Sequence, residues 1–373
     1  HRDGIEAVVD HAIAITKASE PDPDLQPLYE DRAELNGSRF SESIARCSPA
    51  ERARSVAEAI RIVEGASQTA AGIYSTAQAV ESVRNSRGLF RYYVETMAQF
   101  SITAMAGDSS GWAKASSSDP AGVVPAALAE RASRKAVLSM NPKSVQARPS
   151  TVILEPAAVL DLTGQMFGDF SATALADKRS FLTGRLGEKL FGENISIYDH
   201  VDCPLQTGPP FDGEGVPRKP LTLVERGVTK DVAWSRARAF RACKEPTGHG
   251  FPLPNEHGEA PHNIVMAGGK HSIEDLIAST ADGILVTRLW YIREVEPFDK
   301  VMTGMTRDGT FLIRDGQLIC GLRNLRFNQS LVEMLRNVEM MSESVRASGE
   351  EAIDMVVPGM KVHDFQFTEV TRF

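Results

Sequence analysis

Six side chains that could bind a metal fall within one short stretch of the chain: His249, Glu256, His257, Glu259, His262 and His271. Histidine and carboxylate side chains together can hold zinc. The spacing between His257 and His262 matches no helical or tight-turn metal pattern, and the many glycines and prolines predict a loop. A zinc site that uses the four histidines is therefore one alternative. A loop that is solvated or lines a cleft is the favoured one.

Two carboxylates, Asp212 and Glu214, are separated by a single glycine in the segment FDGEGVP. In extended backbone they would lie on the same face, where they could serve as general acid and general base within a cleft. A glycine-rich turn whose carboxylates cap backbone amides has the same composition. The turn is the favoured interpretation, and both residues remain candidates for lining a cleft.

An arginine and a tryptophan share one face of a strand predicted around residues 287–293. Strand alternation places Arg288, Trp290 and Ile292 on the same side. Arg and Trp side chains dominate many recognition surfaces, so Arg288 and Trp290 are candidates for binding a peptide or a partner protein. A mixed strand that buries its tryptophan in the core is an equally good interpretation.

The elements that position these groups predict an α+β protein of two domains. Residues 1–145 are expected to form helices over 1–18, from Ser48 onward and over 120–140, with an antiparallel meander over 73–117. Residues 146–373 are expected to be rich in antiparallel strands. Here we predict a helix over 157–170, a hairpin around Asp315-Gly316, a helix over 331–341 and a strand pair over 352–373.

Composition and missing motifs count against several classes of function. The chain has 373 residues and a net charge of −8, so its overall field disfavours binding to nucleic acid. Its apolar runs are too short for a membrane span. Four scattered cysteines without a CxxC pattern indicate free thiols and a cytoplasmic location. The sequence has no HExxH, Walker A or GxGxxG motif.

The run from residue 283 to 328, GILVTRLWYIREVEPFDKVMTGMTRDGTFLIRDGQLICGLRNLRFN, resembles the C-terminal domain of the TldD/PmbA family. Members of this metallopeptidase family are also labelled modulators of DNA gyrase. The segments FDGEG and TGHG are similar to family segments as well, and the resemblance covers essentially the whole chain. Relatives carry roughly seventy residues before the position of His1, so we expect N-terminal sequence to be missing.

The resemblance also locates a catalytic motif that this chain lacks. Catalytic members carry HExxxH on a helix about twenty residues before a Gly-Arg/Lys-x-Gly-Glu segment, which is GRLGE at residues 184–188 here. Counting back without gaps, the slot falls on Thr163, Gly164, Gln165, Met166, Phe167 and Gly168. None of these side chains is a good zinc ligand, and residues 151–199 contain no histidine before His200. No cysteine follows Cys320 to match the late cysteine ligand of catalytic members.

The resemblance therefore implies a non-catalytic TldE/PmbA-type subunit that binds no cofactor itself. Zinc and the water-activating Glu would come from a TldD-type partner, and the two chains would enclose an unfolded or modified peptide held as an added strand. Whether the chain is an enzyme alone, and whether it forms a homodimer without its partner, are left open. The alternatives are an active homo-oligomeric peptidase that uses the histidine loop and a regulatory protein that binds DNA gyrase.

Overall fold

The computed structural model describes residues 2–21 and 25–371, so His1 and the end of the predicted 352–373 strand pair lie outside the described residues. The first part of the chain contains four helices and four strands. They are α1 (Arg2–Ala18), β1 (Asn36–Arg39), α2 (Glu42–Ala45), α3 (Pro49–Gly65), β2 (Thr69–Arg84), β3 (Phe90–Ala106), β4 (Ser109–Ser117) and α4 (Pro125–Leu138), with a 3-10 turn at Pro120–Gly122.

The predicted meander is confirmed as one sheet built around β3. Strand β2 pairs antiparallel with β3 along its whole length, β4 pairs antiparallel with the second half of β3, and β1 pairs parallel with the first half. Helix α3 begins at a capping box, because the Ser48 hydroxyl accepts from the Glu51 amide and the Glu51 carboxylate accepts from the Ser48 amide. Helices α3 and α4 pack their apolar residues against this sheet. Within the described residues, the other edge of β2 has no strand partner.

The second part of the chain is built mainly of strands. Its helices are α5 (Pro156–Thr163), α6 (Ala172–Ala176), α7 (Arg236–Arg241), α8 (Ile273–Ala278) and α9 (Leu331–Arg336). Its strands are β5 (Pro149–Leu154), β6 (Ile197–Asp199), β7 (Leu221–Glu225), β8 (Val228–Thr229), β9 (Ile264–Met266), β10 (Asp282–Glu296), β11 (Val301–Arg314), β12 (Gln317–Gly321), β13 (Leu325–Ser330), β14 (Val338–Met341), β15 (Val345–Ala347), β16 (Met355–Val357) and β17 (Met360–Val370).

Five of these strands pair in a closed ring, in the order β10, β5, β17, β13, β11 and back to β10. Strands β12 and β14 extend the ring at β11 and β17. A separate six-stranded sheet runs in the order β15, β16, β9, β6, β7, β8. The largest apolar cluster joins the inner residues of the ring to α5, α9 and this second sheet. The α+β class is thereby confirmed, and the hairpin around Asp315-Gly316 is the turn between β11 and β12.

Three predicted elements differ from the structure. The helix over 157–170 is α5 followed by a 3-10 helix, Gly164–Asp169, where two glycines weaken the α-helical turn. The helix over 331–341 ends at Arg336, and residues 338–341 are strand β14, which pairs with β17. The tail strands β16 and β17 do not pair with each other. Strand β16 joins β15 and β9, whereas β17 enters the ring. None of the described helices is long and apolar enough to cross a membrane.

Candidate functional site

The slot of the HExxxH motif lies at the end of α5 and in the 3-10 helix that follows. The Thr163 hydroxyl donates to the Val159 carbonyl at 2.8 Å, so this hydroxyl is hydrogen-bonded within helix α5. The Gln165 amide donates to the Asp161 carbonyl at 3.2 Å and to the Glu351 carbonyl at 3.0 Å. The polar side chains of the slot are thus engaged with backbone.

The late loop, residues 348–354 between β15 and β16, closes the slot at Gly164, whereas Gln165, Phe167 and Gly168 border a cavity of about 290 Å³. A Cβ atom placed on Gly164 would lie 2.3 Å from the Cβ of Ala352 and 3.0 Å from the Cε of Met355. The missing side chain at Gly164, where the resemblance puts the water-activating Glu, is what lets the loop approach this closely. Across the described parts of the chain, no three His, Cys, Asp or Glu side chains converge as metal ligands. The residues at the slot do not fit zinc.

Asp161, two residues before the slot, holds the late loop in place. Its Oδ1 accepts from the backbone amides of Glu350 at 3.0 Å and Glu351 at 2.9 Å. Burial raises the pKa of this carboxyl to about 6, although the two amides lower it. Oδ2 is buried and has no hydrogen-bond partner within the described structure. The carboxylate therefore stabilises the loop at the expense of its own solvation.

Asp212 and Glu214 are brought close together, because a Cβ on Gly250 would lie 3.2 Å from one carboxylate and 3.1 Å from the other. Each carboxylate nevertheless has structural partners. Asp212 accepts from the amides of Glu214, Val216 and Gly250 at 2.8–3.0 Å, and Glu214 pairs with Arg236 at 2.9 Å. Burial raises the pKa of both carboxyls. This geometry is that of the amide-capped turn.

The histidines do not form a common site. His249 is buried, with Nδ1 2.9 Å from the Thr247 hydroxyl and Nε2 3.2 Å from Oδ1 of Asp199, an ion-pair distance without good hydrogen-bond alignment. Burial would raise the pKa of Asp199, but His249 and two backbone amides lower it overall. His257, His262 and His271 are exposed, and no metal cluster is found among the described residues.

Arg288 and Trp290 lie on the outer side of the strand ring. Arg288 is buried and donates through Nε and Nη2 to Oδ2 of Asp308, the first at 2.9 Å. Its guanidinium carbon is 5.0 Å from the ring centre of Trp112 and 5.7 Å from that of Trp290. Trp290 is 37% exposed, so it does not lie in the core.

Ile292 does not share this face, so that part of the strand prediction is wrong. The pairing of β10 with β11 shifts register between Trp290 and Arg293, and Tyr291 has a positive φ of 58°. This β-bulge sends Ile292 into the core, where it is 2% exposed, and turns Tyr291 outward.

Sequence reasoning missed Trp112, Arg307 and Asp308. Asp308 accepts from Arg288 and, at 2.5 Å, from the Ser110 hydroxyl on the first sheet. Arg307 lies directly opposite Arg288 in the β10–β11 register. These contacts depend on the pairing of distant strands and could not be read from the sequence. The sequence Arg-Asp-Gly at 307–309 indicates only an irregular backbone, since Asp308 and Gly309 both adopt positive φ.

Two family models match the chain. The PmbA/TldA metallopeptidase C-terminal domain matches residues 147–369, and the central domain of the same family matches residues 35–140. The fold is similar to that of TldE from Thermococcus kodakarensis, with a TM-score of 0.87 and 22% identity over 99% of this chain and 85% of that one.

Two curated relatives are similar over part of the sequence. An uncharacterized protein of Methanocaldococcus jannaschii is 34% identical over 155 residues, which are 40% of this chain and 36% of the relative. A metalloprotease of Methanothermobacter thermautotrophicus is 27% identical over 176 residues, which are 45% of this chain and 37% of the relative. The chain thus spans well under two thirds of the length of either relative.

Proposed function

Because the chain belongs to the PmbA/TldD metallopeptidase family, we propose that it is a TldE-type subunit that does not itself cleave peptides. The closed slot carries this proposal. Gly164 and Ala352 occupy the space where a catalytic member needs a glutamate beside its metal, and the polar side chains of the slot, Thr163 and Gln165, are already bonded to backbone. A slot without ligands or an ionisable base cannot activate water.

A TldD-type partner subunit would supply the zinc and the water-activating glutamate. This chain would form a heterodimer with it in the cytoplasm, where its four unpaired cysteines are stable as thiols. The catalytic group and the peptide-holding surface would then lie on different chains, and hydrolysis would depend on assembly.

The proposed substrate is an unfolded or modified peptide. An extended peptide can add to an open sheet edge, where backbone hydrogen bonds give affinity without requiring a particular sequence. Strand β2 supports this reading, because it is 16 residues long, carries no charged side chain from Thr69 to Val80 and has one unpaired edge in the described structure. An uncharged edge of this length lacks the usual protection against strand addition.

The test is reconstitution with a purified TldD-type subunit. Cleavage of an unstructured peptide is measured with this chain alone, the partner alone and the two together. We expect no cleavage by this chain alone and much faster cleavage by the mixture than by the partner alone. As a control, changing the HExxxH glutamate of the partner to glutamine must abolish cleavage in the mixture.

Cleavage by this chain alone would contradict the proposal. So would a mixture no more active than the partner. A pull-down from cell extract adds a second outcome: recovery of DNA gyrase in place of a TldD-type chain would favour the regulatory alternative.

A further inference from the structure

Four side chains stack in alternation where β4 of the first sheet meets the outer wall of the strand ring: Trp112 from β4, and Arg288, Trp290 and Arg307 from the ring. The guanidinium carbon of Arg288 lies 5.0 and 5.7 Å from the ring centres of its two tryptophans, and that of Arg307 lies 4.9 Å from Trp290. Trp112 and Arg288 are buried, whereas the Arg307 side chain is 46% exposed. We call these residues the Trp–Arg stack. Its outer end is an arginine whose guanidinium lies over an indole.

The outer arginine has unused hydrogen-bonding capacity. Its nearest carboxylate is Asp308, 3.6 Å from Nε, and the same Oδ2 atom already accepts twice from Arg288. In the described structure, Arg307 donates no hydrogen bond to protein. The Arg307 guanidinium lies over the Trp290 ring, and its side chain is half-exposed to solvent. A fork oriented in this way loses little entropy when it binds a carboxylate.

A second arginine–aromatic pair lies beside the stack. The bulge in β10 turns Tyr291 outward, where it is 52% exposed, and the guanidinium carbon of Arg293 lies 4.6 Å from the centre of its ring. The positive φ of Tyr291 is unfavourable for an aromatic residue. Strain of this kind persists where surrounding structure enforces it and is found often at binding sites.

The surrounding sheet surface carries charges of both signs. Met305 lies opposite Trp290 in the β10–β11 pairing, and Arg326 on β13 lies opposite Met305. Arg326 makes no ion pair with any described residue. Glu369 lies opposite Arg326 in the β13–β17 pairing and Glu351 lies 3.6 Å from Arg293, so Arg307, which shares its carboxylate with Arg288, is the arginine that favours a negatively charged ligand.

This surface adjoins the closed slot through one residue. Glu351 accepts at Oε1 from the Tyr291 amide at 2.7 Å, and its own amide donates to Asp161 at 2.9 Å. The arginine–aromatic surface therefore lies beside the position of the catalytic motif, where a peptide would be cleaved in the assembled pair, rather than at the open edge of β2. A peptide is favoured over a folded partner for this reason.

We propose that Arg307, stacked on Trp290, binds a side-chain or terminal carboxylate of an extended peptide, and that Tyr291 with Arg293 contacts the adjacent residues. This inference rests on the proposed function and specifies its substrate as a carboxylate-bearing peptide. Trp290 and Tyr291 supply apolar contact beside the ion pair, the combination typical of binding hot spots.

The experiment measures binding of three blocked, unstructured peptides of equal length to the purified chain. They carry Glu-Phe, Gln-Phe or Lys-Phe repeats, and binding is followed by tryptophan fluorescence and calorimetry. We expect the Glu peptide to bind most tightly, Arg307→Gln to weaken it about tenfold and Arg307→Lys to weaken it less. Trp290→Phe should remove most of the fluorescence change. Arg134→Gln, at an arginine 72% exposed on α4, is the matched control and should bind as the parent does.

Equal binding of the Glu and Gln peptides would overturn the inference, and so would unchanged binding by Arg307→Gln. Weakened assembly with a TldD-type subunit and unchanged peptide binding would identify the surface as a subunit contact and overturn it too. Circular dichroism confirms that each variant is folded. Partner-dependent cleavage is a separate assay, so the proposed function can hold even where peptide recognition at Arg307 fails.

Discussion

The slot and the Trp–Arg stack lie on either side of Glu351 and have opposite characters. At the slot, small side chains let the late loop pack directly against the 3-10 helix, and the polar groups bond to backbone. On the stack, large aromatic and arginine side chains lie between the two sheets, and the outermost guanidinium has only a 3.6 Å ion pair with a carboxylate that Arg288 already occupies. In our proposal this difference separates two tasks that a peptidase combines: the slot lacks the groups for hydrolysis, and the stack binds the peptide.

The largest loss of stability is expected from substitution of Arg288, which holds the Trp–Arg stack to Asp308. Arg288→Leu removes both hydrogen bonds to Oδ2 of Asp308, a carboxylate whose side chain is only 8% exposed, and leaves it the Ser110 hydroxyl and Arg307 at 3.6 Å. Removing one partner of a buried ion pair typically costs about 3–5 kcal/mol, and the two remaining contacts place the loss at the lower end of that range. The free energy of unfolding, measured by urea denaturation, should fall by about this amount.

Arg314→Leu is the matched control, since it breaks an exposed pair with Asp282 at the other end of β11. Exposed pairs contribute about 0–1 kcal/mol, so this variant should be nearly neutral. Similar losses for the two variants would contradict the view that the stack is rigidly anchored.

Adding a single methyl group at Gly164 in the slot should lower the stability of the protein. Gly164→Ala places a Cβ 2.3 Å from that of Ala352, so the loop must move, and overpacking of this kind costs about 1–3 kcal/mol. Gly168→Ala meets nothing within 4 Å and should leave the midpoint of thermal unfolding almost unchanged. Adding Ala352→Gly to Gly164→Ala should restore much of the loss, as coupled neighbours do. A slot that tolerates Gly164→Ala as easily as Gly168→Ala would be open, contrary to our description.

A smaller change in the free energy of unfolding is expected when the pH is lowered. The pKa of Asp161 is raised from 3.8 to about 6, so the folded state takes up a proton before the unfolded state does as the pH falls. Protonation therefore adds stability between pH 6.5 and 5, by about 1 kcal/mol. Asp161→Asn should lack this contribution. The check is the difference in unfolding free energy between the parent and the variant at the two pH values; a constant difference would mean that Asp161 does not titrate there.

Sequence alone predicted the features that depend on local pattern. The Ser48 capping box, the long alternating strand of β3 and the Asp315-Gly316 turn each carry their signal within a few residues. The missing histidines of the slot also needed no structure, since side-chain chemistry excludes zinc ligation there.

Features that depend on strand register and on packing could not be predicted from the sequence. Arg288 and Arg307 become neighbours only because β10 and β11 pair in one particular register, and the Tyr291 bulge breaks the alternation that placed Ile292 beside Trp290. Residues 338–341 have a helical pattern but become strand β14, because pairing with β17 outweighs local preference.

The most direct test of the central claim is the zinc content of the purified chain, measured by mass spectrometry after dialysis against metal-free buffer. We predict far less than one zinc ion per chain, because the residues of the slot cannot hold the metal. One tightly bound zinc ion per chain, retained through dialysis, would contradict the account and direct attention to His249, His257, His262 and His271 as ligands.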